Sequence, residues 1–460
     1  MSARIPDNAG DAGAAFIARC ARSSWRLPTL LVLGLGLPLG ALYGLRGMQG
    51  VVLGVGGLAA AGVFLLGFAR PFATLLLSFY IYGSGLDAML PGPVAMALLV
   101  VVTARVVFDV FSGQSLSWGT PSFKVSLAVL LAIALTSLMM ARSLSFARGR
   151  IEHILWGIMF FAGITAFATR TSRLRAVLLI LSLAFATSIL IRLFQFLRSS
   201  GAIFLLYPTG EARFGVGDPN FTAVLGSALL VTLASVLGKC RRWQQLALVP
   251  VVLLHLVAIV LSASRMGMGL LAFVTVILLV RARRARWYIL GGLVVVGIVL
   301  INLPRRYWLR FTDLQQVGGI VVERSLQLRM HALEAGWEMF QRHPWFGIGL
   351  GNFPAESPRY MSVPLWAHNT YLDVAVTLGI FGLLAFLVWL LSGMEMVARA
   401  ARLWGIAGRG ADRTLAVSIG LSFGVICLAA LTLDLAFHPI VWTLLGLANA
   451  ARQCAEAGTE

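Results

Sequence analysis

Residues 342–383 read RHPWFGIGLGNFPAESPRYMSVPLWAHNTYLDVAVTLGIFGL. A polar segment, broken by glycine and proline, runs straight into a long apolar run. Pro344, Pro354, Pro358 and Pro364 rule out a continuous helix before that run, because proline lacks the amide proton and its ring clashes with the preceding turn. Gly347, Gly349 and Gly351 open backbone shapes closed to other residues. His368 and Asn369 stand at the junction. A titratable imidazole is therefore expected at the mouth of a membrane helix, beneath an irregular loop. Chemistry on a substrate that is part lipid and part water-soluble belongs at such a place.

Outward from this stretch the whole chain is apolar. Of its 460 residues, 59% are hydrophobic and 12% charged, with a mean hydropathy of +0.88. These values exclude a soluble domain and describe a polytopic membrane protein. The net charge of +19 comes from 37 basic and 18 acidic residues. The arginines lie between apolar runs and form no single patch, so the charge points to anionic lipid surfaces and not to nucleic acid. No cleavable signal peptide is read. Cys20, Cys240, Cys427 and Cys454 show no metal-type spacing, and no disulfide is expected.

A membrane span needs about 20 apolar residues. Runs of this kind lie near 29–46, 48–69, 72–90, 93–111, 122–141, 152–169, 174–197, 218–238, 244–263, 266–281, 287–303, 370–392, 413–433 and 435–451. The fold expected is an all-α bundle of about 12–14 transmembrane helices, the lower figure applying if two runs are half-helices. Arg170, Arg173 and Arg175, Lys239, Arg241 and Arg242, Arg281 to Arg286, and Arg399 to Arg413 fall on one face under this alternation. Basic short loops mark the cytoplasmic side. The opposite face carries 142–151, 198–217, 264–265 and the large loop 304–369. The chain thus divides into an N-terminal bundle (1–303), an outer-face loop domain (304–369) and C-terminal helices (370–460). Within the loop, Ile320–Arg342 predicts an amphipathic helix. Its apolar stripe of Leu326, Met330, Leu333, Trp337 and Phe340 is expected to lie down on the bundle.

Arg265, in Ser264-Arg-Met-Gly267, sits between two apolar runs with almost no loop. An arginine at that depth faces a cavity, pairs with an anion, or snorkels to headgroups. Arg213 lies before Asp218-Pro219-Asn220, which reads as an N-cap followed by proline at the first helical position. Arg192 adds a further charge near the outer end of its run. Several guanidinium groups at one outer pocket fit phosphate or pyrophosphate oxygens. There is no P-loop, GxGxxG, HExxH or DxD, so neither a metal nor a cofactor is expected. His368 has a side chain suited to a general base, or it anchors the following helix. Asp434 with His438, and Arg105 with Asp109, read as local i,i+4 pairs.

These residues resemble the O-antigen ligase and polymerase superfamily of bacterial inner membranes. The likeness rests on Pro344-Trp-Phe-Gly-Ile-Gly-Leu-Gly-Asn-Phe353, on His368-Asn369 followed nine residues later by Gly379-Ile-Phe-Gly382, on Ser264-Arg265-x-Gly267, and on Arg213-Phe with Asp218-Pro-Asn220. It spans 213–383, and the His-Asn spacing is nearer the ligase branch. The resemblance implies a multi-pass GT-C-like glycosyltransferase with its site facing the periplasm. It implies an undecaprenyl-pyrophosphate-linked glycan as donor, the lipid A-core as acceptor, and metal-independent inverting transfer. His368 would then activate the acceptor hydroxyl while Arg213 and Arg265 hold the pyrophosphate. Arg329 stands where relatives often carry arginine. A polymerase, a protein O-oligosaccharyltransferase and, more remotely, a lipid-glycan transporter are the alternatives.

Overall fold

The computed structural model describes residues 61–90, 93–198, 218–281, 286–301, 315–317, 320–322, 324–361 and 365–458. The expected run 29–46 and the first part of 48–69 lie outside them. In chain order the helices are α1 (Ala61–Ala69), α2 (Pro71–Ser84), α3 (Val94–Phe111), α4 (Pro121–Ser137), α5 (Leu144–Phe167), α6 (Thr171–Arg198), α7 (Pro219–Leu237), α8 (Arg242–Leu261), α9 (Arg265–Arg281) and α10 (Arg286–Ile301). A short ribbon, β1 (Gln315–Val317) with β2 (Ile320–Val322), precedes α11 (Arg324–Arg342) and α12 (Phe353–Glu356). Then come α13 (Thr370–Ile406), α14 (Gly410–Ala429) and α15 (Pro439–Glu456).

The chain is an all-α multi-pass membrane protein. Among the described residues eight helices are long and apolar enough to cross a bilayer, or nine if α1 and α2 are one span bent by 116°. Besides the runs that lie outside these residues, three described runs fall short of a full span. The apolar part of α9 is short, α10 has only 16 residues, and α15 carries Arg452 and Glu456 in its last turns. Four helices begin on proline (Pro71, Pro121, Pro219 and Pro439), where the missing amide proton costs nothing.

The core lies where α13, α15, α5 and α4 meet. Trp389 and Trp442 are fully buried edge to face, 4.7 Å apart, with Phe386 and Phe123 beside Trp389. Lipid tails are as apolar as this interior, so close packing rather than water exclusion holds the helices together. At one end Arg175 pairs with Asp412, which also accepts from Arg409. This joins the start of α6 to the start of α14 and gathers basic turns there. Arg105 and Asp109 pair at 2.8 Å as their spacing predicted.

Two features differ from the sequence reading. Ile320–Val322 is strand, as three successive β-branched residues favour, so the loop helix starts at Arg324. Of its expected apolar stripe, Phe340 packs against the buried cluster that includes Val376 of α13, whereas Met330, Leu333 and Trp337 are exposed. The buried side is instead Ala332, Ala335 and Met339. Small side chains let the helix approach closely, and a Cβ on Gly336 would come within 2.7 Å of Leu372.

The span α13 is broken at Gly379, which takes φ 72 and ψ −175. The segment 344–351 fills the break. Ile348 N–H donates to Val376 O (3.0 Å), Gly349 N–H to Thr377 O (3.1 Å), and Ile380 N–H to Pro344 O (2.8 Å). A Cβ on Gly379 would lie 2.1 Å from Trp345 O, and one on Gly347 would lie 2.4 Å from the Thr377 carbonyl carbon. Glycine is needed here for both its backbone freedom and its lack of bulk. Further along, Leu350 N–H donates to Ser137 Oγ (3.1 Å) and Asn352 Oδ1 accepts from Ser143 N–H (2.7 Å). The motif segment is thus wedged between α13 and the turn joining α4 to α5.

Candidate functional site

The start of α13 is tied to the turn between α14 and α15. Thr370 N–H donates to Ala430 O (2.8 Å), and the Thr370 hydroxyl donates to Leu433 O (2.7 Å) while accepting from Leu435 N–H (2.8 Å). Asn369 caps α13 by accepting Leu372 N–H at 3.0 Å. His368 precedes the cap and sits at φ 49, in left-handed backbone. The other non-glycine residues with positive φ among those described are Ala263 and Phe437, just before Ser264-Arg265 and His438. Strain of this kind persists only where surrounding contacts impose it, and it gathers at functional sites.

A cavity of about 590 Å³ opens beside His368. Asp218, Phe221, Trp366, Asp434 and His438 line it, with Phe146, Arg150 and His153 from the first turns of α5. Asp218 also caps α7, accepting from Asn220 N–H (2.6 Å) and Phe221 N–H (3.3 Å). Arg150 is buried, and both of its terminal nitrogens are tied down. It donates to Ala436 O (3.0 Å), to Asp373 (3.2 Å) and to Asp434, and its guanidinium carbon lies 4.8 Å from the Trp366 ring centre. The carboxylate of Asp434 therefore binds Arg150, not His438 as the i,i+4 spacing predicted. His438 instead accepts Ile440 N–H on Nδ1 (3.2 Å) at the start of α15. Its ring centre lies 5.6 Å from that of His153 and 4.7 Å from that of Phe221.

Burial lowers the pKa of His368, and the positive charge of Arg329 lowers it further, against smaller upward pulls from Asp218 and Asp434. The imidazole is therefore neutral near pH 7, with a lone pair able to take a proton. Burial, then His153 and Arg150, push His438 down to about 3, so it too is neutral.

The arginines named from the sequence are placed unequally. Arg329 on α11 is close enough to act on His368. Arg265 opens α9 with an exposed side chain. The preceding Ser264 donates to Asn220 Oδ1 (2.8 Å), which brings that turn against the Asp218 end of α7. Arg192 is exposed on the later turns of α6 and does not line the cavity. Arg213 lies outside the described residues. Among the described residues no group of three His, Cys, Asp or Glu side chains is arranged to hold a metal ion.

Sequence reasoning missed Arg150, Asp373, His153 and Trp366. One signal was available: Asp373 lies inside an apolar run, and an ionisable residue there marks a site by default.

Residues 250–387, from α8 past the break in α13, match the family model described as O-antigen ligase. No curated protein matches the chain. The matched stretch takes in the broken span, the segment that fills the break and His368. Over these residues the chain is similar to the O-antigen ligase family.

Proposed function

We propose that this protein is an O-antigen ligase that moves a glycan from undecaprenyl pyrophosphate to the lipid A-core at the periplasmic face of the bacterial inner membrane. His368 takes the proton of the acceptor hydroxyl as that oxygen attacks the anomeric carbon with inversion. Arg213, Arg265 and Arg329, with Arg192 adding charge at the same end, hold the departing pyrophosphate without a metal. The observation that carries this reading is His368 itself. It is a neutral imidazole held in strained backbone, on a cavity that opens where α13 begins. Fixed positive charge beside a neutral base is what a phosphate leaving group and a hydroxyl nucleophile together require. The loop helix α11 lies close by and shields the donor from water.

Deleting the gene in its own strain tests the reading. The expected result is core-only lipopolysaccharide with long glycan accumulating on the carrier. A ladder stopped at a single repeat indicates a polymerase instead. Unchanged lipopolysaccharide with a pilin stripped of glycan indicates a protein O-oligosaccharyltransferase.

A further inference from the structure

We propose that the wall of the cavity built by Trp366, Asp434, His153 and His438 is the seat of a neutral sugar ring of the acceptor and not of the donor's diphosphate. The inference rests on the transfer reading above and deepens it. Charge is the first argument. Among the described residues the sole arginine or lysine lining the cavity is Arg150, and its two terminal nitrogens already donate to Asp373, Asp434 and Ala436 O. Asp434 and Asp373 both take its charge, so no positive charge is left over for an anion, and Asp218 adds a further carboxylate to the lining. A diphosphate placed here meets like charge at short range in a medium of low dielectric. A polyhydroxyl ring meets no such penalty.

Shape and hydrogen bonding point the same way. Trp366 is half-buried, with the Arg150 guanidinium on its ring and Phe146 edge-on at 6.3 Å. Its indole is therefore held as a fixed apolar plate against which the C–H face of a pyranose can pack. His438 uses Nδ1 as an acceptor toward Ile440 N–H, so the proton of its neutral ring is on Nε2 as a donor. Asp434 supplies acceptor oxygens. Hydroxyl groups both donate and accept, and such a mixed wall satisfies them where a purely cationic one does not. Trp366 lies two residues before His368, so a ring on that plate presents its hydroxyl beside the base. The cavity of about 590 Å³ falls within the usual range for small-ligand sites.

The test uses the full chain in nanodiscs, with Trp366→Ala and the conservative Trp366→Phe. Rough lipopolysaccharide serves as the acceptor probe and undecaprenyl pyrophosphate as the donor probe. Direct binding of each is measured without turnover, and KM for rough lipopolysaccharide is measured in transfer from the glycan-loaded carrier. Trp366→Ala is expected to weaken acceptor binding about tenfold, the loss of roughly one aromatic contact. Its affinity for undecaprenyl pyrophosphate stays as in the wild type, and Trp366→Phe recovers most of the loss. Equal loss for both probes, or unchanged acceptor binding in Trp366→Ala, overturns the assignment. Because binding is read apart from turnover, a wild-type chain that binds rough lipopolysaccharide through Trp366 yet transfers nothing to it refutes the ligase reading and leaves the subsite standing.

Discussion

Gly379→Ala is the sharpest perturbation of this architecture. The backbone at φ 72 and ψ −175 belongs to a region open essentially to glycine alone, and forcing another residue there costs about 1–3 kcal/mol. The added methyl would also lie 2.1 Å from Trp345 O. That contact cannot relax while Pro344–Gly349 stays docked, because the intruding atom is backbone on both sides. The segment must move, and three backbone hydrogen bonds go with it, each worth about 0.5–1.5 kcal/mol net. Strain and lost bonds together come to about 2.5–7.5 kcal/mol. The docked population of the segment should then fall on the order of 30-fold or more. Hydrogen exchange at the Ile348 and Gly349 amides reads this directly, and the melting temperature should drop with it. Gly269→Ala is the control. That glycine is exposed on α9, and a methyl added there would meet nothing within 4 Å. Alanine at that position should stabilise by about 0.5–1 kcal/mol. If Gly379→Ala shows wild-type protection and melting, the segment does not depend on the break and the reasoning fails.

Three further outcomes are expected. His368→Ala abolishes glycan transfer while leaving the melting temperature near wild type; near-normal transfer removes the base role. EDTA has little effect on transfer, whereas a strict requirement for added divalent metal contradicts an arginine-held leaving group. Arg150→Met strands two buried carboxylates and should cost about 3–5 kcal/mol, but Asp373→Asn, which removes the excess negative charge, should be close to neutral in thermal melting.

What the sequence disclosed was local. Asp218-Pro219 caps α7 as read, and Arg105 pairs with Asp109 as its spacing predicted. What it concealed depended on distant partners. Asp434 was given to His438, four residues away, but Arg150, 284 residues away in sequence, takes it. Spacing along one helix cannot report a competitor of opposite charge from another. Part of the face of α11 departs from the sequence reading for a similar reason. Large apolar residues were assumed to face the bundle, yet in a membrane protein the lipid side is apolar too, and small residues mark the close-packed side. The glycines of 347–351 were recognised as conformationally special, but the helix break they fit was hidden inside a continuous apolar run.

Arg329 ties the two halves of the proposed chemistry together. Its charge is the second cause of the lowered pKa of His368, after burial. The same guanidinium is proposed to grip the donor. A bound diphosphate offsets that field, so the imidazole should become more basic once the donor is seated. The base would be weak in the empty site and stronger when there is a leaving group to expel. The acid limb of kcat/KM for the donor reports the free enzyme and that of kcat the loaded enzyme. The limb in kcat should therefore lie at higher pH than the limb in kcat/KM. Arg329→Gln removes one lowering influence from the free enzyme, so its kcat/KM limb should move up and the gap should narrow. If both limbs coincide in the wild type and stay fixed in Arg329→Gln, Arg329 does not link donor binding to the proton transfer at His368.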